Sequence, residues 1–453
     1  MKEPSSQHRM LEQLPLFEIP DNGCSSFKDP AFAQNRNMPV HRWVPWIAGF
    51  SAHFVRDILS NYLQSPATVL DPFCGVGTAL VEAFLLGHKA IGFEINPYAV
   101  FACRTKLHSH QVNARRLETA IAHFQEFYKE CISTGYVPKS APPKGFRTKS
   151  AFYSPKVLRK VLIFFDYVDS IDDKRIQDLF RLAFASTMIR YSNYSYEPSL
   201  GRRVSAGKPN IQDFPVDQVI TLKLREILED IIWFKEHLPN PEVDAQIIPT
   251  SFLEYKDCLE PDSVDLIITS PPYLNNYHYN RNTRPQLYWL GFVKSPSDLK
   301  AFEYANFGKY WQTVRGLEHI ELQFSLPDTD LEERLEALRQ TNSDKGIYGG
   351  RGWANYATSY FNDCYIFAQG IYHVLKPGGR AFVILGNSIL QGILMPTDRY
   401  FAAIAETVDL EVVRIEVPRA TRVGNSIIRS DVRAVKAKKP HQLYEAVIEI
   451  RKR

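Results

Sequence analysis

Residues 67–94, ATVLDPFCGVGTALVEAFLLGHKAIGFE, constrain the fold more than any other stretch of the chain. ATVLD is short, apolar and β-branched, which predicts a buried strand. GTALVEAFLLG carries helical periodicity and ends at Gly87, and KAIGFE predicts a second strand. PYAVFACRTKLHSH then opens a helix with Pro97 at its first turn, where a missing N–H does no harm. Strand, glycine-rich turn, helix, strand is an α/β unit. It predicts an open, mostly parallel sheet with helices on both faces.

The alternation stops near residue 110 and resumes at AQIIP (245–249) and VDLIITS (264–270). Between them, KVLRKVLIFFDYV, IQDLFRLAFASTMIRY and VITLKLREILEDIIWF space apolar residues for helices. The polar stretch SLGRRVSAGK, with Arg202, Arg203 and Lys208, lies between the last two. Late in the chain, YFNDCYIFAQGIYHVLKPGGRAFVILG predicts a helix, a turn at Pro377-Gly378-Gly379 and a strand. EVVRIEVP and YEAVIEI then flank a basic loop and are expected to close the sheet as an antiparallel hairpin. The expected organisation is a polar arm (1–40), a discontinuous α/β domain (41–110 and 241–453), a helical insertion (111–240) and a smaller charged insertion (297–350).

Composition narrows the class. At 453 residues with 13% aromatic content, the chain is too long for one ordinary core and too apolar for disorder. A net charge of +4 does not announce a partner. The six cysteines include no C-x-x-C pair, so neither a zinc site nor a disulfide framework is expected. The N-terminal residues lack the apolar core of a signal peptide, and no apolar run approaches the ~18 residues of a membrane span. A cytoplasmic chain with no metal and no membrane partner is the expectation.

Two motifs carry chemistry. In VLDPFCGVGTALVEA, Gly75 and Gly77 permit close approach of a ligand to the backbone, and the next helix offers its N–H groups. Glu94, ending the following strand, is placed to accept both hydroxyls of an adenosine ribose. Taken alone, the same residues make a plain glycine turn and a solvated acid. A nicotinamide enzyme would also fit, but Leu80 stands where G-x-G-x-x-G needs its third glycine; a P-loop is excluded because no G-K-[ST] follows. The second motif, TSPPY (269–273), ends the VDLIITS strand, because two prolines cannot continue a hydrogen-bonded ladder. Ser270 Oγ and the Pro271 carbonyl are acceptors for an amino group, and Tyr273 is a flat face for a planar ring. Alone, this is a Pro-Pro turn with a surface tyrosine. Ligands of open α/β sheets sit outside the C-terminal strand ends, so both loops are expected to face one crevice.

With DPFCGVGT as an F-x-G-x-G motif and TSPPY as a [DNS]-P-P-[YFW] motif, the chain resembles the amino-group DNA methyltransferases. These are S-adenosyl-L-methionine-dependent enzymes of Rossmann-like class I fold that modify cytosine N4 or adenine N6. GFEINPYAV resembles the acidic ribose-binding segment, VLKPGGRAFVILGNS the late helix-turn-strand, and HRWVPWIAGFSAHFVRDIL the segment before the first strand that meets the methionine end of the cofactor. The resemblance implies cofactor contacts from Phe50, Ser51, Asp71, Phe73, Gly75, Gly77, Thr78 and Glu94, and catalytic roles for Ser270, Pro271, Pro272 and Tyr273. Where the family often has an acid after the third strand, this chain has Thr250 and Ser251, so a Ser251 hydroxyl is expected to make that contact.

The implied partner is double-stranded DNA, with a cognate restriction endonuclease or other defence proteins beside it. Asn275, Tyr277 and Arg281 follow the catalytic motif and are expected near the base. Arg202 and Arg203 of the first basic loop, and Arg422 and Arg429 of the second, are expected on phosphates. In this family serine before Pro-Pro leans toward cytosine N4 over adenine N6. An RNA base or a protein amide as acceptor, and a non-catalytic DNA-binding relative, are the competing expectations. Cytosine C5 chemistry is disfavoured, since the chain has no Pro-Cys pair to present a thiolate.

Overall fold

The computed structural model describes residues 25–46, 49, 51–196, 199–274, 279–421 and 443–453. Its centre is a seven-stranded sheet. The strands are β1 (Thr68–Asp71), β2 (Lys89–Phe93), β3 (Ala245–Ile248), β4 (Val264–Thr269), β5 (Leu375–Gly386), β6 (Leu410–Thr421) and β7 (Leu443–Lys452). Their order across the sheet is β6-β7-β5-β4-β1-β2-β3. β3, β2, β1, β4 and β5 pair in parallel, while β7 is antiparallel to both β5 and β6. This is the Rossmann-like, mostly parallel sheet with an antiparallel end that the alternation predicts. Chain order reverses between β1 and β4, and the C-terminal ends of those two strands lie side by side.

One detail departs from the sequence reading. Pro377-Gly378-Gly379 is a bulge inside β5 rather than a turn before it: Val264 pairs with Leu375 and Leu266 with Arg380, so residues 376–379 loop out of the ladder. Gly378, at φ +79°, supplies the backbone freedom the bulge needs.

Helices cover both faces. On one, α1 (Ala52–Tyr62), α2 (Thr78–Leu85) and α3 (Pro97–Leu107) pack with the helices of the 111–240 insertion, α4 (Ala114–Ser133), α5 (Pro155–Asp169), α6 (Lys174–Thr187) and α7 (Val216–His237). Their buried side chains form one cluster, running from Leu80 and Phe84 of α2 through Phe234 of α7 to Phe124, Phe164 and Phe180. The insertion therefore shares its core with the sheet. On the other face, α8 (Gly350–Val374) and α9 (Thr397–Glu406) pack with residues of the 297–350 insertion. Among the described residues no helix is long and apolar enough to cross a membrane.

Of the stretch expected as a polar arm, residues 25–40 are packed on the domain. Phe27 is buried against Phe54 and Phe382. Two buried carboxylates hold the segment that follows. Asp230 of α7 accepts from Val40 N–H (2.9 Å), Trp43 Nε1 (2.8 Å) and Arg42 Nε and Nη2 (3.0 and 2.6 Å). Glu82 of α2 meets His41 Nε2 at 2.8 Å and Arg56 Nε at 2.7 Å. Removing the Asp230 acceptor leaves buried donors unpaired, so Asp230→Ala should cost about 3 kcal/mol of unfolding free energy in chemical denaturation. A cost below about 1 kcal/mol would show that apolar contacts alone hold this segment.

Candidate active site

The site grows from the adjacent C-terminal ends of β1 and β4. Asp71, the last residue of β1, accepts from Thr269 Oγ1 of β4 at 2.7 Å and from the N–H of Phe73 at 3.0 Å. One bond ties two strand ends; the other starts the turn that follows. Gly75 (φ +51°) and Gly77 (φ +85°) shape that turn, and Lys106, buried under it, donates to the Val76 carbonyl at 3.1 Å.

The two glycines answer different demands. Gly75 lines a cleft, with the Trp46 indole over it: a β-carbon there would stand 3.0 Å from Trp46 Nε1. Gly77 faces α3, where a β-carbon would fall 2.2 Å from Cys103 Sγ. Its lack of a side chain serves helix packing, and neither it nor Thr78, buried at the start of α2, lines the cleft.

Both loops wall this cleft. Phe73, Gly75 and Glu94 come from the first α/β unit, Thr250 and Ser251 from the end of β3, and Ser270 and Pro272 from the proline motif. The crevice expected from strand order is thus present. Phe73 is held edge-on by Phe307 (5.1 Å between centroids) and Phe367 (5.2 Å). Phe307 lines the cleft as well, so the 297–350 insertion forms part of its wall.

Tyr273 points elsewhere. Its ring lies on β5 at Gly386, where a β-carbon would be 3.0 Å from the ring. Its hydroxyl bonds to Ser270 Oγ (3.4 Å) and Glu445 Oε1 of β7 (3.3 Å). Ser270 therefore stands between two regions, the cleft over β1 and β2 and the tyrosine over β5 and β7. Pro271 is buried and also off the cleft. Ser51 is buried at the start of α1, donating its N–H to the Pro30 carbonyl, and does not line the cleft either.

Arg202 and Arg281 are exposed, while Arg203 Nε is bonded to the Pro209 carbonyl at 3.0 Å. Arg202 ends a small hairpin whose Tyr196 hydroxyl and Leu200 N–H bond to Asn282, so this basic element is fastened to the segment after the proline motif. Phe50, Asn275, Tyr277, Arg422 and Arg429 lie outside the described residues. Trp46, Asn96, Tyr279, Asn280, Asn306 and Phe307 also line the cleft. Trp46 and Asn96 sit in stretches that the motif resemblance already singles out; the others have no local signature.

Two carboxyl groups set the electrostatics. Burial raises Asp71 to about 7, against the lowering effect of its Thr269 and Phe73 bonds. Burial likewise raises Glu94 to about 7, against N–H bonds from Asn96, Gly75 and Ile95. Asp71 Oδ2 has no protein partner among the described residues, which leaves a buried acceptor suited to a cationic or donor group of a ligand. Among the described residues no cluster of His, Cys, Asp and Glu fits a metal ion.

Sequence comparison is consistent with this geometry. Residues 26–103 match a family model described as DNA methylase. The chain is 22% identical to the type II methyltransferase M.BsoBI of Geobacillus stearothermophilus, over 93% of this chain and 88% of that one. It is 25% identical to M.AvaI of a Nostoc species, over 94% and 90%, and 21% identical to M.MvaI of Kocuria varians, over 72% of each. All three are named type II methyltransferases.

The raised carboxyls predict a pH dependence. The unfolded chain loses these protons near pH 4, whereas the fold keeps them until about 7. Stability is therefore lost as pH rises from about 4 to about 7 and stays lower above. Without ligand, Asp71→Asn and Glu94→Gln should each gain thermal midpoint relative to wild type at pH 8 but not at pH 4. Equal shifts at both pH values would contradict buried, protonated carboxyls.

Proposed function

Because the chain belongs to the S-adenosylmethionine-dependent amino-group DNA methyltransferases, we propose that it methylates the exocyclic amino group of one base within a specific double-stranded DNA sequence, with cytosine N4 as the acceptor. The observation that carries this is the common cleft: Gly75 and Glu94 share its walls with Ser270 and Pro272.

The residues present suit the cofactor. Glu94 is the acceptor for the ribose hydroxyls, the unpartnered Asp71 Oδ2 for the ammonium of the methionine part, and Phe73 with Ser251 completes the wall. Phe50, Ser51, Gly77 and Thr78 stay with this group through the motif resemblance, the last three as residues that shape the site from behind. When bound, S-adenosylmethionine supplies an electrophilic methyl group on a sulfonium.

An exocyclic amine is a weak nucleophile because its lone pair is delocalised into the ring. Ser270 Oγ and the Pro271 carbonyl accept its two N–H bonds and favour a tetrahedral nitrogen, which localises the lone pair along the line of transfer. The base must leave the duplex, at a cost of a few kcal/mol. Stacking on Tyr273, worth about 1–3 kcal/mol, offsets part of this. Pro271 and Pro272 hold the clamp rigid, so alignment does most of the catalysis. The amine proton becomes acidic only as the new N–C bond forms, and no strong base is needed beforehand.

The choice of cytosine N4 rests on serine at position 270, the residue type that leans that way in the family. A hydroxyl is a weaker acceptor than the carboxylate at the same place in other members. Arg202, Arg203 and Arg281, with Asn275, Tyr277, Arg422 and Arg429, are assigned to DNA, and a restriction endonuclease reading the same sequence is the proposed partner in the cell.

The test is incubation with labelled S-adenosylmethionine and duplex DNA, RNA or protein, followed by hydrolysis. N4-methylcytosine from DNA is expected; N6-methyladenine would overturn the choice of base, and label in RNA or protein alone would overturn DNA. Tyr273→Ala should cut turnover about 10- to 100-fold. The affinity of that variant for S-adenosylhomocysteine should stay within about threefold of wild type, since the ring lies off the cleft. Equal losses in both would contradict a base platform.

A further inference from the structure

The cleft wall contains a donor that the mechanism above does not use. Asn280 is 4% exposed, lines the cleft, and its Nδ2 has no hydrogen-bond partner among the described residues. The orientation of its amide follows from Asn96. Asn96 Oδ1 accepts from the N–H groups of Tyr98 and Ala99 at the start of α3, so its other terminal atom is the donor Nδ2. That Nδ2 donates to Thr283 Oγ1 at 2.8 Å and to Asn280 at 3.5 Å. The atom of Asn280 facing Asn96 must therefore be Oδ1, and the unpartnered atom is the N–H donor.

Asn96 also joins this donor to Glu94, because the Asn96 N–H bonds to Glu94 Oε1 at 2.7 Å. One wall thus presents a carboxylate acceptor and an amide donor linked through a single residue. A hydroxyl group uses both kinds of partner at once: it gives its proton to a carboxylate and accepts one from an amide. A buried donor left unpaired is costly, and a ligand oxygen removes that cost. A vicinal diol is the group whose chemistry matches the pair.

We propose that Asn280 is a cofactor-binding residue whose Nδ2–H donates to a ribose hydroxyl that in turn donates to Glu94. This rests on the assignment of Glu94 to the ribose. It places a cofactor contact on the segment Tyr279–Asn282, which follows the Ser270–Tyr273 clamp and is bonded through Asn282 to the basic hairpin. The part of the chain leading away from the acceptor base thereby also reads the methyl donor.

The experiment is calorimetric titration of the full chain with S-adenosylhomocysteine and with its 2′-deoxy and 3′-deoxy forms. Asn280→Asp keeps the oxygen that faces Asn96 and replaces only the donor. It should weaken S-adenosylhomocysteine about tenfold or more, a loss that nearly vanishes with one of the two deoxy ligands. Unchanged affinity would overturn the proposal, and a loss persisting with both deoxy ligands would move the contact off the ribose and overturn it too. Glu94→Gln separates the two levels. If it leaves affinity intact, the ribose assignment itself fails; if it weakens binding while Asn280→Asp does not, only the present inference fails. Should the aspartate variant fold poorly, wild-type protein with 15N-asparagine answers the same question. The Asn280 side-chain amide, assigned by its proximity to the Asn96 side chain, must shift and exchange more slowly with S-adenosylhomocysteine bound, and no change would overturn the assignment.

Discussion

The hydrogen bond from Thr269 Oγ1 to Asp71 Oδ1 is the point on which the site depends. It joins the last residues of two parallel strands whose chain directions diverge on either side, so both following loops start from one place. A carboxyl there is expensive, because burial disfavours its charged form and raises it to about 7. Replacing it by an apolar residue would leave Thr269 and the Phe73 N–H unpaired and free the turn before the glycines. The second Asp71 oxygen is buried with no hydrogen-bond partner among the described residues.

A second constraint acts from outside the sheet. Trp46 covers Gly75, yet the described residues around it form no strand and only a short helical turn, His41–Trp43. Asp230 and Glu82 hold that segment by charge-assisted bonds to Arg42, Trp43, His41 and the Val40 backbone. Because Asp230 sits on α7, the helical insertion has a mechanical part in holding the segment beside the cleft. Its shared aromatic core makes that support stiff.

The 297–350 insertion works from the opposite face. Phe307 presses on Phe73, and Ala305 and Asn306 line the cleft beside it. One insertion thus lines the pocket directly, while the other, on the opposite face of the sheet, holds the segment that leads to Trp46. The proline motif divides this pocket from the Tyr273 ring over Gly386.

What the sequence determined by itself is what short windows encode. Strand and helix periodicity from Ala67 to His110, the glycine turn, the acid at Glu94 and the proline stop after Thr269 all follow from local backbone chemistry, and so does the terminal hairpin. Strand order then brings the two motif loops together, because parallel strands joined through helices put their active edge on one side. Only the tertiary structure decided the rest. Gly77 packs against Cys103 of α3, Tyr273 turns toward Gly386, and Trp46, Asn280 and Phe307 arrive at the cleft from segments up to 261 residues apart. No local pattern marks Asn280 or Phe307, since their place is set by long-range packing and by which buried polar atoms find partners. Those conditions exist only once the chain has folded.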